Sequence, residues 1–268
     1  MRDTAVQIAC RYVSLALLMV FILFPFLWML VTTFKVDEEI FAPVPSWLIR
    51  DFTLEHYVWA ISEHGINLGK LLGNTFAVCL TTAVLTGLFA CVSGYGLSRY
   101  KVPGMGFVVL LLVLAQMIQG PLIMIPWYKF ASALSLLNTK TVLVMIYGTM
   151  TIPVGVWIMS GFFNTIPRDL EEAAYVDGAT RWRALFSVVI PLALPGLVAI
   201  SLYAFILGWN DYQYALILTN SLAAKTVQVG IAEVMESMGK TSWGGILASG
   251  VLTIMPVVVL FAVIQRLL

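Results

Sequence analysis

The chain has 268 residues, of which 60% are hydrophobic and 11% charged, and its net charge is +1; the mean hydropathy is +0.95. A soluble domain is about 45–50% apolar and about 25% charged, so the composition excludes a single soluble core and defines an integral membrane protein. The net charge says nothing about nucleic acid, and no cluster of Lys or Arg suggests it, so no nucleic-acid partner is expected.

The charged residues mark out the elements. Uncharged runs of 23, 28, 27, 27, 27 and 25 residues follow Arg11, Lys70, Lys101, Lys140, Arg183 and Lys240. A spanning helix needs about 20 apolar residues, more if tilted. The runs predict an all-α polytopic protein: one permease-sized domain over 1–268 with six transmembrane helices at about 12–34, 71–98, 105–127, 141–163, 188–214 and 243–265. A membrane barrel would show short alternating segments instead. The first run is too long for a cleavable signal peptide and lacks a small-residue cleavage site, so it reads as a retained helix. On the second span Thr82, Thr86, Ala90, Gly94 and Ser98 recur every four residues, a small-residue stripe suited to close helix packing in lipid. Cys10, Cys79 and Cys91 fit no metal spacing and read as small hydrophobes, so no metal is expected.

Six spans put both termini on one side. With that side cytoplasmic, the inner segments hold seven of the eight arginines and eight of the fifteen basic residues, in shorter segments, as the positive-inside rule requires. The outer segments are then about 35–70, 127–140 and 219–242, and the one long inner segment is the loop 164–190. Within it "PRDLEEAAYVDGATRW", Pro167–Trp182, holds six formal charges in sixteen residues. Asp169, Glu171 and Glu172 crowd a first turn, where negative charge meets the positive end of the helix dipole. Ala173 and Ala174 favour helix, and Gly178 ends it. The spacing predicts a helix of about three turns outside the bilayer. Basic, bulky helices suit the headgroup layer; this acidic, small-faced one suits a cleft in a partner protein.

The stretch "EEAAYVDGATRWRALFSVVIPLALPG" resembles the EAA loop of ABC importer permeases, with Glu172, Ala173, Ala174 and Gly178 at the motif positions. "FPFLWMLVTTFK", "GNTFAV", "GYGLSRYKVPG", "WNDYQYAL" and "VIQRLL" are similar to the maltose-type, binding-protein-dependent carbohydrate permeases, so the resemblance covers nearly the whole chain. Two departures are Asp169 for the first Glu of the longer motif and an end at Leu268, where relatives often carry a Gly-rich tail; a tail contact with the ATPase is therefore not carried over. The resemblance implies the type I importer permease fold, in the cytoplasmic membrane of a bacterium or archaeon. It also implies a second, different permease, two ATPase subunits and an extracellular solute-binding protein as partners. The cargo it implies is a sugar, a di- or oligosaccharide. Arg168, Asp169, Glu171, Glu172, Ala173, Ala174, Asp177, Gly178 and Ala179 would form the coupling helix seated in an ATPase. This chain would bind no cofactor, ATP and Mg being held by the ATPase, and it would not be an enzyme. Consistent with that, it has no Gly-x-x-x-x-Gly-Lys-Ser/Thr phosphate loop.

Asp211 stands in an otherwise apolar run, where a charge costs about 2.5–3.5 kcal/mol and marks a cavity or a partner. With Trp209, Asn210, Tyr212, Gln213 and Tyr214 it could form a sugar path, since amides and carboxylates pair with hydroxyls and rings stack on sugar faces. A structural acceptor near the end of a span is the competing reading, and Gln116, Gln119 and Tyr128 carry the same ambiguity. Gly230, Glu233, Met235 and Glu236 lie in the outer loop 219–242, which the resemblance implies could reach the binding protein. A permease for another small polar solute is the nearest alternative. A membrane-embedded enzyme or assembly factor is weaker, because Asp211 is the only formally charged residue inside a run.

Overall fold

The structure, a computed structural model, describes residues 5–100, 103–117, 120–236 and 242–265. Among them the regular elements are helical: α1 Ala5–Thr32, α2 Asp37–Ile40, α3 Glu55–Ile61, α4 Leu68–Arg99, α5 Met105–Met117, α6 Pro121–Ala133, α7 Lys140–Thr165, α8 Asp169–Val176, α9 Arg181–Ala184, a π turn Leu185–Val189, α10 Ile190–Asn210, α11 Gln213–Leu218, α12 Val227–Glu236 and α13 Trp243–Ile264. One extended pairing joins Lys35 and Phe52. Among the described residues five stretches are long and apolar enough to cross a membrane: Gln7–Thr32, Leu68–Arg99, Lys140–Thr165, Arg181–Asn210 and Trp243–Ile264.

Where the sequence reads one span over 105–127, the structure has α5 and α6, each 13 residues long. Gly120 between them has φ 83°, outside the helical region, and Pro121 opens α6 as a first-turn proline. Either piece alone is about 20 Å long, short of a full crossing. Gln119 lies outside the described residues. The connection after α7 is also more helical than a loop over 164–190: α9, the π turn and α10 run on as one rod. The π turn falls just before Pro191, whose ring would collide with the carbonyl four residues back in a regular helix.

The chain forms two compact units. The larger, Gly69–Gly230 with the end of α13, is built on α4, α7 and α10. The expected stripe on α4 is buried along its whole length: Thr82, Thr86, Ala90, Gly94 and Ser98. A Cβ on Gly94 would lie 2.8 Å from Met159 Cβ, and one on Gly155 of α7 would lie 2.9 Å from both Ala90 Cβ and Ile200 Cγ1, so the backbones approach as closely as small residues permit. Thr86 Oγ1 and Thr151 Oγ1 share a buried hydrogen bond of 2.6 Å. At one end of this unit the core gathers Val78, Leu143, Ile146, Tyr147 and Leu218. At the other it gathers Tyr95, Met159, Phe163, Leu185 and Val189.

The smaller unit is the chain up to Leu68 with Ile231–Val258. Here Lys35, 3% exposed, reaches Ser46 through its ammonium, lies 3.7 Å from Glu39 and stands over the Trp28 ring. Glu39 also accepts from the Ser46 hydroxyl at 2.9 Å and the Arg50 amide at 3.2 Å. Desolvation pushes the Glu39 carboxyl up, but Ser46, the Arg50 amide, Lys35 and the Asp51 amide outweigh it and hold the group below its ordinary value. The buried His56 bonds through Nε2 to the Lys35 carbonyl at 2.8 Å. Gly244 lies directly beneath its ring, so closely that a Cβ there would collide with it. His56 is thus a packed structural residue.

Candidate functional site: the surface helix and the cleft at Asp211

Pro167 precedes α8, and Asp169, Glu171 and Glu172 occupy its first turn, as the sequence predicts. The helix is one turn shorter than expected. It ends at Val176, and Asp177, Gly178 and Ala179 form the terminator beyond it. Gly178 has φ 82°. Its amide donates to Tyr175 O at 3.0 Å and the Ala179 amide to Ala174 O at 2.9 Å, the paired closing bonds of a Schellman motif. Glycine is required there because a side chain in this left-handed conformation strains the backbone.

The two adjacent glutamates have different fates. Glu172 is exposed, as are Arg168, Asp169, Ala173, Asp177 and Gly178, while Ala174 and Ala179 are half-buried. Asp169, Glu172, Ala173 and Val176 follow the i, i+3, i+4, i+7 pattern of one face, and Val176 is 88% exposed. Glu171 is the one buried residue of α8. Its Oε1 accepts from Arg99 Nε at 2.5 Å and its Oε2 from the Tyr95 hydroxyl at 2.6 Å. Of the residues expected to face a partner, Glu171 is therefore committed to its own chain. Burying it is tolerable because both oxygens are paired with a cation or a hydroxyl. Tyr95 and Arg99 were not singled out from the sequence as site residues. The signal available was the polar end of the "GYGLSRY" stretch.

The second candidate, around Asp211, divides. Asp211 does not continue the helix: it is the extended residue after α10, with φ −73° and ψ 129°. So the faces expected of a continuous helix through Asn210, Asp211, Gln213 and Tyr214 do not apply. Its Oδ2 accepts from the Tyr147 hydroxyl at 2.7 Å and from the Ala215 amide at 3.0 Å, so the carboxylate closes the first turn of α11 and ties it to α7. Trp209 is buried and stacks on Phe205 with centroids 5.3 Å apart, its carbonyl accepting from Gln228. It is unavailable to a ligand. Tyr212 packs on the Tyr147 core, and Gln213 is exposed. Asn210, Asp211 and Tyr214 do share a cleft of about 460 Å³ with Gly120, Met150, Tyr203 and Leu207. Tyr214 bonds to Gly120 O at 3.3 Å. Tyr203, 41% exposed on the cleft wall, is a residue the sequence reading passed over. Gln116 bonds to Met150 O instead.

Within the predicted loop 219–242, of which 237–241 lie outside the described residues, the part up to Glu236 is less free than a loop. Asn74 donates to Leu222 O and Lys225 O, and Thr75 Oγ1 accepts the Val227 amide that begins α12. The "GNTFAV" stretch thus pins it. Gly230 is buried against Leu71, whose Cδ1 a Cβ would meet at 2.3 Å, so it serves packing and cannot contact a partner. Glu233, Met235 and Glu236 are exposed at the end of α12.

A helical polytopic membrane protein with a short acidic helix displayed between two spans defines a transport subunit of the permease class. Residues 8–268 match the model of the binding-protein-dependent transport system inner membrane component family, and the chain belongs to that family. It is 32% identical over 255 residues to the inner membrane ABC transporter permease protein YcjP of Escherichia coli, covering 95% of this chain and 91% of that one. It is 28% identical to the trehalose/maltose transport system permease protein MalG of Thermococcus litoralis, covering 99% and 95%. Its fold is similar to that in the crystal structure of a bacterial ABC transporter involved in the import of the acidic polysaccharide alginate, with a TM-score of 0.84 at 21% identity, over 99% of this chain and 98% of that one. Among the described residues no group of three or more His, Cys, Asp or Glu is placed to hold a metal.

Proposed function

We propose that this permease carries a di- or oligosaccharide, and that α8 is the element through which a separate ATPase drives it. The sugar reading is supported by the relatives, which include a trehalose/maltose permease. The observation that carries the α8 reading is its division into two faces. Glu171 fastens one side to the chain, while Asp169, Glu172, Ala173 and Val176 are exposed. An eight-residue helix is too short to be stable alone, so holding one rigid with an exposed acidic and small-residue face fits a docking element. In this reading α8, Arg168 and the termini are cytoplasmic, ATP and Mg are bound by the ATPase, and a second permease completes the pathway. The binding protein delivers sugar on the side of Glu233, Met235 and Glu236. Transport is rigid-body alternation between two access states. Asn210 and Tyr203 are the polar groups that the cleft offers a sugar, with Asp211 holding its wall.

The test is reconstitution of the full transporter with its binding protein, scored for uptake and ATP hydrolysis. Glu172→Lys should abolish stimulated uptake while hydrolysis continues or the ATPase dissociates. Normal uptake at a normal ratio to ATP hydrolysed contradicts the assignment. A panel of saccharides added with the binding protein should show stimulation by at least one; stimulation by none, with a non-sugar solute active, overturns the sugar reading.

A further inference from the structure

We infer that Tyr95 and Arg99 are positioning residues for energy coupling: through Glu171 they lock α8 to the end of α4, so that a push on α8 moves three spans together. The inference rests on the reading of α8 as the ATPase-facing helix and says how its motion leaves it. Along the chain α8 connects only to α7 and α9, through short turns at Ile166–Arg168 and Asp177–Thr180. Its backbone lies against α9 and the π turn, and so drives α10. The link to α4 is made by long side chains. Arg99 sits at the centre: Nε on Glu171, one terminal nitrogen on Ile166 O at 3.0 Å and the other on Ser98 Oγ at 3.2 Å. Ser98 Oγ in turn donates to Asn164 Oδ1 of α7 at 2.7 Å, and Arg168 donates to Ser98 O at 3.1 Å. Tyr95 completes the lock from one turn further along α4 and packs edge-on to Phe163 of α7.

The chemistry suits a strut. No apolar residue of α8 is buried, so a greasy face that could slide does not hold it. A planar guanidinium and a phenol hold the carboxylate in directions set by both partners. The Arg99 and Glu171 side chains are 8% and 6% exposed, so removing either partner leaves the other's charge largely buried and unpaired. Four α4–α7 contacts in the stripe, at Gly94, Ala90, Thr86 and Ser98, then pass displacement along the bundle.

The experiment uses the assembled transporter in liposomes and reads sugar uptake per ATP hydrolysed, together with ATPase retention on purification. Glu171→Gln and Arg99→Met should keep the ATPase bound and hydrolysing while uptake per ATP is largely lost, because removing one partner leaves the other's buried charge uncompensated. The exchange Arg99→Glu with Glu171→Arg should recover part of that ratio. Tyr95→Phe, which removes one hydroxyl and keeps the ring, should give a smaller fall in the same ratio and carries the test should the charge variants fail to assemble. Spin labels at Val176 and Val92 should report one narrow separation in the parent and a broad one in the Glu171 variant. An unchanged ratio and an unchanged distance distribution in the variants overturn the lock. If Glu172→Lys also leaves coupling intact, the seat on α8 has failed; if only Glu172→Lys uncouples, the seat stands and the lock alone is wrong.

Discussion

Replacing Asp211 by alanine separates its two readings, structural acceptor and sugar contact. Its Oδ2 serves two donors, the Tyr147 hydroxyl and the Ala215 amide, and both residues are fully buried. The third donor, the Tyr214 amide at 3.5 Å, is too distant to count for much. An orphaned buried donor costs about 1–3 kcal/mol, so Asp211→Ala should destabilise the larger unit by about 2–6 kcal/mol. Both donors meet the same oxygen, so Asp211→Asn can set its carbonyl oxygen there and keep both bonds, losing only the charge assistance, about 1–2 kcal/mol. The assay is unfolding of the purified transporter in detergent, followed by circular dichroism, with uptake measured after reconstitution of the same samples. The expected order of stability is parent, Asn, Ala, with uptake falling in step. Asp211→Ala as stable as the parent would refute the reasoning, as would Asp211→Asn with full stability and no uptake, which would make the carboxylate a substrate ligand.

Gly178→Val should add about 1–2 kcal/mol of left-handed strain at the end of α8. It should lower uptake per ATP in reconstituted vesicles, whereas Gly178→Asn, tolerant of that conformation, should retain most of it. Gly155→Val forces a side chain into Ala90 and Ile200 and should cost about 1–3 kcal/mol of overpacking, read as a lower midpoint in the same unfolding assay. The depressed Glu39 carboxyl contributes stability that is present above its ordinary value and lost as pH falls through the lower, folded one. Proteolysis of the 35–53 segment should therefore accelerate only below the usual carboxylate range, and Glu39→Gln should be cut at all pH values alike.

Much of this was legible because lipid imposes simple rules. Charges cannot sit in long apolar runs, so Arg11 and Lys35 flank the apolar part of α1, and Lys70 and Arg99 that of α4. The four-residue stripe on α4 is read directly, because only one face of a helix repeats that way. Gly178 announced its turn for the same local reason. What escaped depends on partners distant in sequence. Glu171 and Glu172 are neighbours about 100° apart on α8, and nothing local says which one meets Arg99, 72 residues earlier. Asp211 looked like a charge within a span because the break of the helix at that residue is set by Tyr147 and the Ala215 amide. The division of the third run is likewise a matter of the backbone at Gly120, where the apolar composition continues on both sides.

Val176 offers the most direct test of α8 as the driven element, since it is 88% exposed on the outward face. In a background with the exposed Cys10 replaced by serine, Val176→Cys should react with a membrane-impermeant thiol reagent only from the cytoplasmic side. In the assembled transporter it should cross-link to the ATPase and lose that reactivity. Labelling from the outside, or full reactivity with no cross-link in the complete complex, would contradict it.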